Sequence, residues 1–311
     1  TLNVSARDPP AMPDVSVIMP THNRAQFIED AVASVLGQTL DRLELIVVDD
    51  GSTDDTADKV QGFGDARIRY IAHETNRGSA QATCTGLGAA RGRYIALLDS
   101  DDSALAHRLE NQTRLMNAQP RLTVGGSHMQ CIGQSDLIAT APSDDASIKA
   151  NLLAGTANVY NPTVMIRHQF LIRHDLRWRT EDGGAFDWAF YVAAMQRGAR
   201  FANIPEPLVQ YRVHFQQQSK DQGALREELS AVRLRVMAAF LPQLSSDERI
   251  ALEPLLQWVQ PPQLTRQAVT SGMEAFAKAQ LAGPSRFGEC RGTLQRFLAA
   301  CQARWAAALS G

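Results

Sequence analysis

The chain has 311 residues, 44% of them hydrophobic, with 31 Lys and Arg against 33 Asp and Glu and a formal charge of −2. That length accommodates one large α/β domain with an appendage, or two domains. Near-neutrality argues against a partner bound through nucleic-acid phosphates, no apolar run reaches the ~20 residues of a membrane span, and the N-terminus lacks the regions of a secretory signal. The four cysteines, Cys84, Cys131, Cys290 and Cys301, have no CxxC spacing, which fits reduced thiols in a cytoplasmic protein.

Residues 1–14 are polar and proline-bearing and read as a flexible arm. The first strand is expected over Val15 to Met19, closed by Pro20. Asn23, with Gln26 three residues on, reads as a capping box for a helix that carries Ile28, Val32, Val35 and Leu36 at helical spacing. Leu43 to Val48 is a second apolar strand, ending in Asp49 and Asp50. "GSTDDTADKVQGF" restarts a helix with Ser52 or Thr53 as its cap. "RIRYIAH" is a third strand and Ser79 to Ala90 a small-residue helix. "RYIALL" is a fourth strand, and it runs into Asp99, Ser100, Asp101 and Asp102. Strands apolar throughout, alternating with helices, predict a parallel sheet covered on both faces.

Past residue 105 the rhythm changes. Ala104 to Asn117 reads as helical, "TVGGSHMQCIG" as a strand, and "NVYNPTVMIRHQFL" as a strand entering a helix. Phe186 to Gly198 is helical, and "ARFANIPEPLVQYRVH" returns a strand to the sheet. From Gly223 onward the pattern is helical. Leu225, Leu229, Val232, Val236 and Phe240 make one apolar stripe, Leu255, Trp258 and Val259 a second, and Leu294 to Leu309 a third. This modestly basic tail is a candidate for peripheral membrane contact or for a homo-oligomer interface.

In an open parallel sheet, ligands bind beyond the carboxyl ends of the strands. Two of the four strands here end in acids. Clustered carboxylates repel phosphate unless a hard divalent cation lies between, and Mg²⁺ and Mn²⁺ prefer a few carboxylates, water and phosphate oxygens. The acids therefore point to a metal–diphosphate site, with solvated turns and helix caps as the plain reading of Asp54, Asp55 and Asp102.

These residues carry a resemblance. "PDVSVIMPTHNRAQFIEDAVASVLGQTLDRLELIVVDDGSTDDT" resembles the opening of the inverting family-two glycosyltransferases with the glycosyltransferase A (GT-A) fold. "ARGRYIALLDSDD" is similar to their nucleotide-sugar and metal motif, and "ANIPEPLVQYRVH" to the segment closing their catalytic domain. The resemblance implies an α/β GT-A fold with a mostly parallel, Rossmann-like sheet covered by helices. A catalytic domain is expected over 15–222, its nucleotide-binding half at 15–105 and its acceptor-binding half at 106–222, followed by a helical subdomain over 223–311.

By the same resemblance, Pro20, Thr21, His22, Asn23 and Arg24 pack around the base and ribose, and Asp50 binds the base. Asp99 and Ser100 face the ribose or diphosphate. Asp101 is the direct ligand of Mn²⁺ or Mg²⁺, with His214 approaching from the far side and Ser219 a weaker companion. The chain departs from the family where an Arg-Asn pair is usual: it has Thr83-Cys84, so either Arg77 supplies the cation to the nucleotide or that contact is lost. The implied partners are a nucleoside-diphosphate sugar, most simply a UDP-sugar, and a saccharide or glycolipid acceptor, with no nucleic acid. A cytoplasmic location, peripheral at the inner face of the membrane, is expected.

Inverting transfer also needs a carboxylate base opposite the diphosphate. Counted back from Arg197-Gly198, the family's Asp is Asp187, with Phe186 in place of the usual Glu. Glu181 and Asp182 form an alternative pair. Trp188 reads either as a stacking surface for the acceptor or as core. "PTHNRAQF" stands where a dinucleotide-dependent oxidoreductase would have GxGxxG. The surviving non-enzyme alternative is an inert GT-A-like scaffold that binds nucleotide or a protein partner.

Overall fold

The structure is a computed structural model that describes residues 12–156, 158–214, 222–257, 263–279 and 291–310. Most of the arm (1–11), Ser219, Trp258, Val259 and Cys290 lie outside the described residues, as do the side chains of Leu225 and Leu309.

Four strands follow the expected order: β1 (Val15–Thr21), β2 (Leu43–Asp49), β3 (Ile68–Ala72) and β4 (Tyr94–Leu97). They lie parallel as β3-β2-β1-β4. Helices α1 (Ile28–Leu36), α2 (Thr56–Gly62) and α3 (Ser79–Ala89) make the crossovers. Because side chains alternate along a strand, Val15, Val17 and Met19 enter one apolar layer with Val32 of α1, while Ile18 enters the other with Leu87 of α3. The amino ends of the strands are locked by Ser16, which donates to Glu44 at 2.6 Å and accepts from the Gly92 N–H at 2.8 Å. A Cβ at Gly92 would lie 2.4 Å from the Ser16 nitrogen, so the approach requires glycine.

Beyond β4 the sheet becomes mixed. Its order continues β4-β8-β6-β9-β5, with β5 (Ser103–Ala104), β6 (Val124–Gly133), β8 (Met165–Arg167) and β9 (Phe201–Val213), and β7 (Ile138–Ala139) pairs with β6. β8 runs antiparallel to β4 and β6, while β6 and β9 are parallel.

Three local expectations are corrected. Ala104 pairs with Val209 of β9 and donates to Ser34, so α4 (Arg108–Ala118) begins only at Arg108. Asn23 does not cap α1: it sits at φ +50, its side chain accepts from the Thr53 N–H, and the helix is entered through Phe27. Ser52 and Thr53 do not cap α2, because Asp54 takes the Thr56 N–H. One unforeseen helix, α5 (Asp145–Ala154), is capped by Asp144 and ended by Gly155 at φ +67.

The remaining helices are α6 (His168–His174), α7 (Phe186–Gln196), α8 (Gln222–Phe240), α9 (Ser246–Leu256), α10 (Arg266–Lys278) and α11 (Arg291–Ser310). Val232, Val236 and Phe240 of α8 are buried in one cluster with Leu152, Leu153 and Trp188. The tail thus shares the core behind the sheet. No described helix is long and apolar enough to cross a membrane.

Candidate active site

The carboxyl ends of β1, β2 and β4 open onto one edge. There the loop after β1 is hooked to the loop after β2. His22 donates to the Asp50 carbonyl at 2.9 Å, Ser52 accepts from the Asn23 N–H at 2.8 Å, and Thr56 accepts from the Arg24 N–H at 2.9 Å. Asp54 accepts from Ala25 and Thr56, and these bonds hold its carboxyl below the usual range against burial. It is a structural link, as its plain reading has it. Pro20 is partly buried, and the Thr21 hydroxyl is buried with no partner at the end of β1.

Asp101 is the meeting point of the edge. Its Oδ2 accepts from Arg24 Nε at 3.3 Å and from His214 Nε2 at 3.0 Å. His214 leans on Phe27 with ring centroids 4.8 Å apart, and the Arg212 guanidinium lies over the same ring. Arg212 also donates from Nε to the Asp101 carbonyl and from its backbone N–H to Asp102. The end of β9 therefore fastens the acidic run after β4.

The acids strain one another. Burial, with the charges of Asp101 and Asp187, pushes Asp99 up to about 7, against the pull of Arg108 and Arg24. Burial and Asp99 hold Asp102 well above the usual range, and its Oδ2 is buried without a partner. Ser100 is buried between them in sequence. Tolerance of this cluster rests on a residue that the sequence reading missed. Arg108 is fully buried, donates to the Leu97 and Val164 carbonyls and to Gln112, and has no carboxylate in hydrogen-bond contact among the described residues. Burial lowers its pKa to about 9, while Asp102 and Asp99 pull it up. Arg108→Met should therefore cost roughly 3–5 kcal/mol of stability by leaving buried charge uncompensated. Urea denaturation measures this, and an unchanged midpoint would mean that the acids are balanced elsewhere.

Asp187 opens α7, where the helix dipole favours an anion. Burial raises its pKa, offset in part by the Trp188 N–H. Its charge acts on Asp99 and on Tyr191, whose hydroxyl donates to Asn161 at 2.8 Å. The base candidate on α7 thus lies within electrostatic reach of the acid that ends β4.

The segment before Asp187 is braced by α8. Glu228 accepts from the Gly184 N–H at 2.7 Å, and Arg235 pairs with Asp182. Gly183 turns at φ +55 directly against Glu228, where a Cβ would lie 2.0 Å from the carboxylate. Two expectations are corrected here. Asp182 is buried and tied to Arg235, while Glu181 is exposed and faces Arg179, so neither joins the acid cluster. Trp188 is core: it is 6% exposed, donates to the Leu152 carbonyl, and has the Arg233 guanidinium against its ring. It offers no stacking face to an acceptor.

Asp50 is engaged within the protein. A carboxylate offers about four acceptor positions, and Asp50 accepts from the Arg77 N–H (2.9 and 3.0 Å), the Gly78 N–H (2.7 Å) and His73 (2.6 Å). It moulds the loop before α3. That loop leaves Arg77 exposed, with no side-chain partner among the described residues. Thr83 and Cys84 turn away, bonding to the Ser79 and Trp178 carbonyls.

Among the described residues no three or more His, Cys, Asp or Glu side chains gather as a metal cage. Asp101 Oδ2 and His214 Nε2 nonetheless meet at 3.0 Å, an oxygen and a nitrogen donor at the end of β4. This donor set fits a hard divalent cation that takes its remaining ligands from substrate oxygens and water.

Comparison with known proteins accords with this geometry. The model of a family described as glycosyl transferase family 2 matches residues 16–182. The Escherichia coli UDP-Glc:alpha-D-GlcNAc-diphosphoundecaprenol beta-1,3-glucosyltransferase WfgD is 46% identical over 102 residues, which are 33% of this chain and 40% of that one. Staphylococcus aureus TarS 1-349 in complex with UDP-GlcNAc superposes with a TM-score of 0.65 at 17% identity, covering 95% of this chain and 92% of TarS. The mannosyltransferase PcManGT from Pyrobaculum calidifontis, in complex with GDP-Man and Mn²⁺, gives 0.55 at 20% identity, covering 97% and 89%. At these identities the two structures speak for the fold, which is that of GT-A glycosyltransferases.

Proposed function

The chain belongs to glycosyl transferase family 2, and on that premise we propose an inverting transfer of a sugar from a UDP-sugar to a hydroxyl of a saccharide or glycolipid acceptor. The observation that carries this reading is the convergence of Arg24 and His214 on Asp101 at the carboxyl ends of the strands, with buried Asp187 near enough to Asp99 for its charge to raise it. It supports a base on one side of the donor and a diphosphate seat on the other. The UDP-GlcNAc bound to TarS and the UDP-Glc in the name of WfgD support the donor class.

Ionised Asp187 takes the proton of the acceptor hydroxyl. The hydroxyl oxygen attacks the anomeric carbon from that side, the bond to the diphosphate breaks, and UDP leaves with the bonding pair, inverting the centre. A carboxylate beside the ring also stabilises the oxocarbenium-like charge of the transition state. Arg24 and exposed Arg77 supply positive charge for the diphosphate. Mn²⁺ or Mg²⁺, when held by Asp101 and His214, supplies Lewis-acid neutralisation of the leaving group. Bacterial surface polysaccharide or glycolipid assembly is the setting this chemistry suits.

A thermal-shift screen of UDP- and GDP-sugars with Mn²⁺, followed by assay of UDP release, tests the donor class. Stabilisation by GDP-sugars alone would overturn it. The pH profile tests the base. Burial raises Asp187 above the ordinary 3.8, so protonation silences it earlier as pH falls. The acid limb of kcat/KM should lie above 3.8 and persist in Asp182→Asn; a limb at or below that value counts against Asp187.

A further inference from the structure

The edge of the sheet opposite the acids carries a different chemistry. Tyr94 begins β4 and pairs with Arg167 at the end of β8. The acids follow the other end of β4, on the order of 15 Å away at a strand's rise per residue. Around Arg167 lies a cleft of about 290 Å³, lined by Arg121, Thr123, Phe170, Arg173 and Arg200 among others, with no carboxylate in its lining.

We propose that this cleft is an oxyanion site for a phosphate group, separate from the donor site. Three of its arginines carry the charge that matters. Arg167 is partly buried and immobilised: it donates to the Leu122 carbonyl at 3.2 and 3.1 Å and to the Met116 carbonyl at 3.0 Å, with its guanidinium over the Tyr94 ring. Carbonyls satisfy its donors and leave its positive charge uncancelled. Arg121 and Arg173 are exposed on either side, and none of the three has a carboxylate partner among the described residues. Like charges gathered around a concavity favour an anion within it, and guanidinium forks match phosphate oxygens. Phe170 in the wall and exposed Ile172 on the same helix add apolar surface beside the charge. Both a free phosphate ester and a phospholipid headgroup present the required chemistry.

The test uses the full chain saturated with UDP and Mn²⁺, so that the donor site is filled. Binding of inorganic phosphate is followed by calorimetry, and binding of vesicles by sedimentation, phosphatidylglycerol against phosphatidylcholine. Phosphate binding, or phosphatidylglycerol-specific binding, should fall roughly tenfold or more in Arg121→Gln/Arg173→Gln. Both positions are exposed, so the UDP-induced thermal shift should remain. Phosphate alone identifies a soluble ester, and vesicles identify a headgroup. Binding of neither, or binding unchanged by the double substitution, overturns the proposal. The donor-site reading is judged separately by the UDP shift.

Discussion

Asp187→Asn is expected to lower kcat for sugar transfer by roughly 10²- to 10⁴-fold, the range for loss of a positioned general base. The substitution is nearly isosteric, and an amide oxygen still accepts the Trp188 N–H that Asp187 Oδ1 accepts now. UDP affinity should therefore be kept. Stability should rise, because a buried negative charge is removed and Asp99 is relieved of one of the charges that raise it. This pairing of lost turnover with a higher melting temperature separates a chemical role from a structural one. Asp182→Asn should do the reverse: it weakens the link to Arg235 and lowers stability more than kcat. Turnover within tenfold of wild type in Asp187→Asn would remove Asp187 as the base.

The second large effect is expected at Asp101. One oxygen of this carboxylate serves both Arg24 and His214 in the free protein. If Asp101 and His214 held a cation, Asp101 would give up its contact to Arg24, and that guanidinium would be free to pair with the diphosphate. Metal and donor should therefore bind together, with Mn²⁺ alone binding weakly. In Asp101→Ala, UDP release should fall about 10²- to 10³-fold, the usual scale for losing electrostatic stabilisation of a transition state. The extra thermal stabilisation that Mn²⁺ gives with UDP should disappear. If Mn²⁺ still tightens UDP binding in this variant, the ion sits elsewhere.

Much of this edge was legible in the chain because its signals are local. Asp49-Asp50 and the run from Asp99 to Asp102 each follow an unbroken apolar stretch, Leu45 to Val48 and Ile95 to Leu98, and such a stretch has a single place in a parallel sheet. Asp187, the proposed base, is reached by counting along one helix. Legibility stopped where a side chain's meaning depends on distant partners. Arg212 N–H reaches Asp102 across 110 positions and Glu228 reaches Gly184 across 44. "RLENQ" reads simply as helix, and only the packing of α4 against β6 and β9, with Arg108 reaching the Leu97 carbonyl at the end of β4, makes that residue a buried counter-charge. The partners of Asp50 were hidden for the same reason: a carboxylate at a strand end looks alike in sequence whichever loop it reaches. Trp188 kept its two readings until α5 and α8 enclosed it.

The grip of α8 on both flanks of Asp187 has an outcome for anyone re-engineering this enzyme. Swapping everything after β9 for a relative's tail, to graft a new acceptor preference, would remove the wall that braces the segments flanking the proposed base. Specificity and turnover would change together, so chimeras of this scaffold are better joined inside the loops of the sheet than at the start of the tail.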